Sequence, residues 1–252
     1  AEVISGTWDV ANSAITVEAD GKNYAEAEAS GVGVALIAVS VIVAKATVSG
    51  AVMAEFGASV TQSRSFTVKA NGDNDATADT PVIGVGVIAV SLSETVAAID
   101  QNADVEANVT GNITTSGNFL VDALGTNDAI VATKMVSVGA GAGTGAGLLA
   151  EISGRVRASS SGNVSSASGT ANVTAKGTNN VTSPSTQTSV GLVAANAADR
   201  ATSTDEPVDA APSDAGATAR ITSEAAVLSQ VTGGVWTVPD ADINVTAEGK
   251  NY

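Results

Sequence analysis

The most constraining feature of this chain is an eight-residue motif, V-x-A-x-G-x-N-[YDN], that occurs five times along its 252 residues. The copies begin at Val17, Val68, Val121, Val173 and Val245. Their glycines stand at positions 21, 72, 125, 177 and 249, so successive copies are 51, 53, 52 and 72 residues apart. A long and nearly constant period is typical of stacked repeats, in which each unit packs against its neighbours.

Each octet predicts a β-strand that ends in a tight turn. Its Val and Ala are two residues apart and therefore face the same side of a strand, which we expect to be buried. Its Gly-x-Asn supplies residues that tolerate positive φ. Stacked repeats would align the asparagines in a hydrogen-bonded ladder, and we predict a structural role in turn and ladder for Gly21, Asn23, Gly72, Asn74, Gly125, Asn127, Gly177, Asn179, Gly249 and Asn251.

A second recurring segment, rich in Gly and Val, follows each of the first four octets at 30–39, 82–91, 137–150 and 189–198. The uncharged run 31–44 is too short at 14 residues to cross a bilayer, which takes about 20, so it predicts a buried strand and no transmembrane span. The Gly-Ala alternation at 139–143 predicts a close approach of opposed sheets. The longer fourth step contains 202–216, whose prolines and acids predict a projecting loop.

A longer repeat is superposed on the short one. Residues 3–24 align without gaps to 231–252, with eleven identities, and both tryptophans of the chain share this register. We therefore predict one continuous array over 1–252, with units 15–65, 66–118, 119–170 and 171–242, and with 243–252 as the start of the next unit.

Composition narrows the class of protein. The hydrophobic fraction is 44% but the aromatic fraction only 3%, which favours a thin core of Val, Ala and Gly. We predict an all-β repetitive β-solenoid, a right-handed parallel β-helix with two coils of about 26 residues per repeat. The alternative is a tandem array of small β-sandwiches, which would have little apolar mass per unit. A net charge of −15 disfavours nucleic acid as a partner.

Candidate chemistry is sparse. The chain has no Cys and no His, we assign no catalytic residue, and we predict that it is not an enzyme. A polysaccharide-cleaving β-helix with paired carboxylates is the remaining enzymatic alternative. No cofactor is predicted; two acidic clusters are interpreted as solvated faces, with calcium as the alternative: Asp73, Asp75, Asp79 and Asp205, Glu206, Asp209, Asp214. Six N-x-S/T sequons mark candidate glycosylation sites at Asn108, Asn112, Asn163, Asn172, Asn180 and Asn244.

The five octets and the Gly/Val segments at 31–39, 84–91, 137–150 and 189–198 resemble the repeat regions of large bacterial filamentous surface adhesins. The most similar type is the leukotoxin-like filamentous adhesin, together with related autotransporter passengers. The resemblance covers nearly the whole chain and implies a secreted β-helical stalk without catalytic residues.

The functional hypothesis that follows is a structural segment of an extracellular fibre or cell-surface stalk. Its partner would be itself, either head to tail or along a longer chain. The alternative is an adhesin module that binds glycan or host protein through 202–216 or through an outer face.

Overall fold

A computed structural model describes residues 1–197, 202–203, 217–239 and 242–252, and these residues form an all-β fold without helices. In chain order, the strands are β1 Glu2–Val3, β2 Thr7–Glu28, β3 Gly31–Val34, β4 Ile37–Val48, β5 Val52–Phe56, β6 Ser59–Val85, β7 Ile88–Ile99, β8 Val105–Val109, β9 Ile113–Thr115, β10 Phe119–Val138, β11 Gly141–Ile152, β12 Val156–Ser160, β13 Val164–Ser166, β14 Ala171–Thr182, β15 Ser185–Val190, β16 Val193–Ala197, β17 Thr202–Ser203, β18 Ala217–Ile221, β19 Val227–Val231, β20 Trp236–Thr237 and β21 Ile243–Asn251.

The described strands form three sheets in which every pairing is parallel. Sheet A has the order β1-β5-β8-β12-β19, and sheet C contains β4, β7, β11, β16, β17 and β18. Sheet B has ten strands, including the long β2, β6, β10 and β14. Pairing in all three sheets joins residues of successive repeats, as in Val68 with Val121 and Val121 with Val173.

We call the part of the chain between equivalent positions a layer: layer 1 is 2–48, layer 2 is 52–99, layer 3 is 105–152, layer 4 is 156–221 and layer 5 is 227–251. Each layer contributes strands to sheet A and sheet B, and layers 1 to 4 also contribute to sheet C. The prediction of two 26-residue coils per repeat is wrong, because strand partners lie a full repeat apart, as in Ile15 with Phe66. One repeat builds one layer.

The tandem-sandwich alternative does not describe this arrangement. Independent sandwiches would pair their strands within each unit, whereas apart from β17 with β18 the described pairings join different layers. The pairing sets residues 15, 66, 119, 171 and 243 side by side, which are the starts of the predicted units. The division into units itself stays a prediction.

The register locates the extra residues of the fourth step. Ala197 pairs with Gly145, and the next paired residue, Ala217, lies opposite Leu148. Two residues join these positions in layer 3, but in layer 4 the chain has 19. The loop predicted at 202–216 belongs to this insertion; apart from Thr202 and Ser203 it lies outside the described residues.

The core consists of two clusters of mostly small side chains along the stack. One lies between sheet A and the first half of the sheet B strands and contains Val68, Val121 and Phe66. The other lies between sheet C and the second half of those strands and contains Ala97 and Met135. The inward-facing Val and Ala of the octets are fully buried in layers 2 to 4, as the two-residue alternation predicts.

Two predictions about the Gly/Val segments need correction. The run 31–44 forms strands, but only one of their faces is buried, since Val41 on the outer face is 64% exposed. The glycines of 139–143 do not bring opposed sheets together. Gly141 has open space where a side chain would stand, and Gly139 instead lies against the carbonyl of Gly86 in the preceding layer.

Candidate interaction surfaces

The five asparagines of the octets form a continuous hydrogen-bonded ladder through all layers. Each Nδ2 donates to the Oδ1 of the next asparagine, at 2.8 Å for the first three steps and 3.0 Å from Asn179 to Asn251. Asn74 and Asn179 also donate to the carbonyl oxygens of Ala103 and Ala225. Burial with matched partners makes this ladder a stabilising feature rather than a ligand-binding row.

The octets do not end in tight turns, contrary to prediction. Gly72 and Asn74 lie within β6, and the described glycines with positive φ are Gly6, Gly169 and Gly234, none of which belongs to an octet. The glycines are needed for space. A Cβ added to Gly125 would overlap Cγ2 of Val156 in sheet A, and Gly21, Gly72 and Gly177 each face a valine in the same way.

A column of aromatic rings that the sequence analysis did not predict runs through the first core cluster. Trp8, Phe56, Phe66, Phe119 and Trp236 follow one another with ring centroids 6.0, 4.9, 5.6 and 5.4 Å apart. The Phe66–Phe119 pair is stacked and the other three pairs are edge to face, both favourable geometries. The two tryptophans, equivalent in the 228-residue repeat, stand at opposite ends of this column.

Buried hydroxyl groups line the corner between sheets B and C. Thr80 and Thr95 are hydrogen-bonded at 2.6 Å between their Oγ1 atoms, and the Thr133 hydroxyl donates to the Thr80 carbonyl at 2.8 Å. Ser137 donates to Ser91 at 2.9 Å. Because these groups satisfy one another, they form a polar seam within the fold and leave no reactive hydroxyl with a base beside it.

Charged side chains alternate in sign on the outer face of sheet B. Lys69 Nζ lies 3.3 Å from Glu18, and Lys22 Nζ lies 3.1 Å from Asp73 in the adjacent layer. Asp122 pairs with Lys69 in register. Partial burial nevertheless raises the pKa of Asp122, while Lys69 and Lys176 act to lower it.

A separate charged pair lies where layer 3 enters layer 4. The guanidinium Nη2 of Arg155 lies 2.6 Å from Oδ2 of Asp104, and the Arg155 backbone N–H donates to Oδ1 of the same carboxylate. The hydrogen bond and charge of Asp104 raise the pKa of Arg155. This pair fixes the entry to β12 and has no free acceptor group that marks a ligand site.

The first acidic cluster lies along one strand rather than around a cavity. Asp73, Asp75 and Asp79 stand two or four residues apart on the outer face of β6. Asp73 is paired with Lys22, and Asp75 accepts a hydrogen bond from Thr77. Among the described residues, no group of three acids is placed to hold a metal ion. The second cluster, Asp205, Glu206, Asp209 and Asp214, lies outside the described residues.

The six sequon asparagines all occupy outward or exposed positions. Several of their side chains bond to the neighbouring layer: Asn112 Oδ1 accepts from the Asn163 N–H at 3.1 Å, and Asn163 Oδ1 from the Val235 N–H at 2.7 Å. Asn244 donates to Asn172 at 3.0 Å, and Asn108 donates to Glu55 at 3.2 Å. Glycosylation of these residues, including Asn180, stays a prediction.

An uncharged apolar surface covers the outer corner where sheet B passes into sheet C. In layers 1 and 2 its outward side chains include Val34, Ile37, Val41, Val85 and Ile88, which are between 39% and 75% exposed. In layer 3 the equivalent outward positions of β11 are glycines, so the surface is shallow there. We call this surface the apolar corner.

The described stack ends in a free strand edge on each side. In sheet B, β2 pairs with β6 and β21 pairs with β14, and no other described strand lies beyond either. The side chains of β21 are all exposed, including Ile243 and Val245. Unpaired N–H and C=O groups on such edges are templates for another strand.

Neither a membrane-spanning helix nor a known relative accompanies these surfaces. The described residues include no helix of the length and apolarity needed to span a membrane. No protein-family model, curated protein or solved structure matches the chain.

Proposed function

We propose that this chain is a structural segment of an extracellular fibre or cell-surface stalk. In this proposal the layers are the coils of a β-solenoid, of the right-handed parallel β-helix type, that extends along its axis. The observation that carries the proposal is the continuity of equivalent contacts from layer to layer: ladder, aromatic column and glycine–valine contacts all run along the stack.

The described surfaces favour a mechanical role over a chemical one. The polar groups of the core bond to one another, and the acids of β6 face outward with cationic or hydroxyl partners. The free edges of β2 and β21 offer the two ends of the layer axis for continuation by another strand. The resemblance to adhesin repeat regions supports the same role and an extracellular location.

Electron microscopy of the native protein tests this function. We expect rods whose diffraction shows the 4.7–4.9 Å spacing of strands stacked along the rod axis. Globular particles at every concentration would contradict the proposal.

A second function, adhesion to glycan or host protein, is favoured by one observation. The 19 residues between Ala197 and Ala217 leave the register of sheet C and include four acids. Deleting 204–214 should preserve the unfolding midpoint and abolish adhesion if this insertion binds the target. A control that replaces the same residues with a Gly/Ser linker separates loss of sequence from loss of length.

A further inference from the structure

We propose that the outward charges of the octets select which strand extends the stack: the free edge of β21 accepts a strand with the layer 2 pattern and disfavours layer 1 of a second copy. This inference rests on the proposed function, because it names the partner of the stack's end. It concerns three outward positions of each octet, which are 18, 20 and 22 in layer 1.

Neighbouring layers are complementary at these three positions. Between layers 1 and 2, Glu18 meets Lys69, Asp20 accepts a hydrogen bond from Asn71, and Lys22 meets Asp73. Between layers 2 and 3, Lys69 is opposite Asp122, and between layers 4 and 5, Lys176 is opposite Glu248. No like-charged pair occurs at these positions in the described layers.

The rule is confined to these positions. Farther along sheet B, Asp75 lies opposite Asp128 and Glu28 lies opposite Asp79. Charge alternation is therefore a property of the three octet positions and not of the acidic surface as a whole.

Layer 5 repeats the charge pattern of layer 1. Glu248 corresponds to Asp20, and Lys250 corresponds to Lys22. If layer 1 of a second copy paired with β21 so that the asparagine ladder continued, Asp20 would face Glu248 and Lys22 would face Lys250. Both pairs are like-charged, and like charges directly opposite one another destabilise strand pairing.

A strand of the layer 2 pattern has the opposite effect on the same edge. It would place Asn71-type and Asp73-type side chains beside Glu248 and Lys250, which reproduces the contacts between layers 1 and 2. It would also continue the asparagine ladder, because Asn74 stands in the same register. The partner of this edge is therefore a strand with the order Lys-x-Asn-x-Asp, in this chain or in another chain with such repeats.

The substitution Thr246→Lys, Glu248→Asn, Lys250→Asp tests the inference, because it gives layer 5 the layer 2 pattern that layer 1 accepts. All three side chains are exposed, so we expect the fold to be unaffected. Sedimentation velocity should show head-to-tail association strengthened about tenfold or more over the unmodified chain. The matched control is Thr246→Glu with Glu248→Asp, which gives layer 5 the layer 1 pattern and should not associate more strongly.

A disulfide reports whether the association has the predicted register. The chain has no cysteine, so Thr16→Cys in one copy and Asn244→Cys in the other introduce one reactive pair. In the predicted register these residues lie directly opposite, at a strand spacing that a disulfide can bridge. We expect the cross-link with the layer 2-type variant and not with the control.

Two outcomes would overturn the inference. One is an equal association of the variant and the control; the other is an efficient 16–244 cross-link between copies that keep the natural octets. The second outcome would leave the proposed fibre intact, since the stack would still extend. Absence of rods in the native protein would instead contradict the proposed function without deciding the charge rule.

Discussion

At the residue scale, Asn127 lies at the centre of the asparagine ladder, fully buried and bonded on both sides. Replacing it by alanine removes the acceptor of Asn74 and the donor to Asn179. We expect Asn127→Ala to lower the free energy of unfolding by about 2–4 kcal/mol, because buried polar groups lose their partners. Urea denaturation measures this change. Asn251→Ala, at the exposed end of the ladder, is the control and should cost less than about 1 kcal/mol; equal losses would contradict the ladder's contribution.

Gly125 illustrates how an octet glycine acts through space rather than through conformation. A methyl group there would overlap Val156, so we expect Gly125→Ala to destabilise the protein by about 1–3 kcal/mol. Adding Val156→Ala should restore part of this loss, since the clash is removed. Thermal unfolding of the single and double variants measures the coupling. Gly141→Ala, which meets no atom within 4 Å, is the control, and a comparable loss there would show that steric overlap is not the cause.

At the scale of elements, β10 combines a fully buried inner face with a charged outer face. Asp122 on that outer face has a raised pKa because it is partly buried. A carboxylate with a raised pKa in the folded state binds protons more readily there than in the unfolded chain, so its effect on stability becomes less favourable as pH rises through its pKa.

The Asp122→Asn variant tests this reading of β10. Removing the charge should raise the melting temperature at pH 7, by on the order of 1–2 °C, and should have less effect at pH 3, where the carboxyl is protonated. Differential scanning calorimetry at the two pH values measures the difference. Asp75→Asn on the outer face of β6 controls for a general loss of negative charge, and an identical response would argue against a specific effect of burial at Asp122.

At the scale of the whole molecule, the protein carries a net charge of −15 and yet leaves the apolar corner uncharged. Exposed apolar patches of this kind promote association between molecules. We expect Val39→Lys with Val41→Lys to lower concentration-dependent light scattering without changing the unfolding midpoint. Ala46→Lys in the same strand is the contrasting variant, because Ala46 is buried and a lysine there should unfold the stack locally. Unchanged scattering in the double variant would show that the apolar corner is not the adhesive surface.

The layered arrangement also relates stability to length. Each layer contacts only its neighbours, so stability grows with the number of stacked layers, and the end layers are the least buried. The exposed β21 contrasts in this respect with the same octet positions in β10, which are fully buried. Extension at the ends would therefore stabilise the existing layers as well as lengthen the stack.

The sequence by itself determined the period, the inward-facing valines and alanines, and the positions that would align as a ladder. These follow from two local properties: side chains alternate along a strand, and identical side chains at a constant spacing meet when repeats stack. Only the tertiary structure decided that one repeat makes one layer, that the octet lies within a long strand, and that its glycine faces a valine. Those outcomes depend on contacts between residues about 30 positions apart, such as Gly21 with Val52, and on where the chain changes sheets. The aromatic column was decided in the same way, because Phe56 and Phe66 belong to different sheets and are brought together by packing across the core.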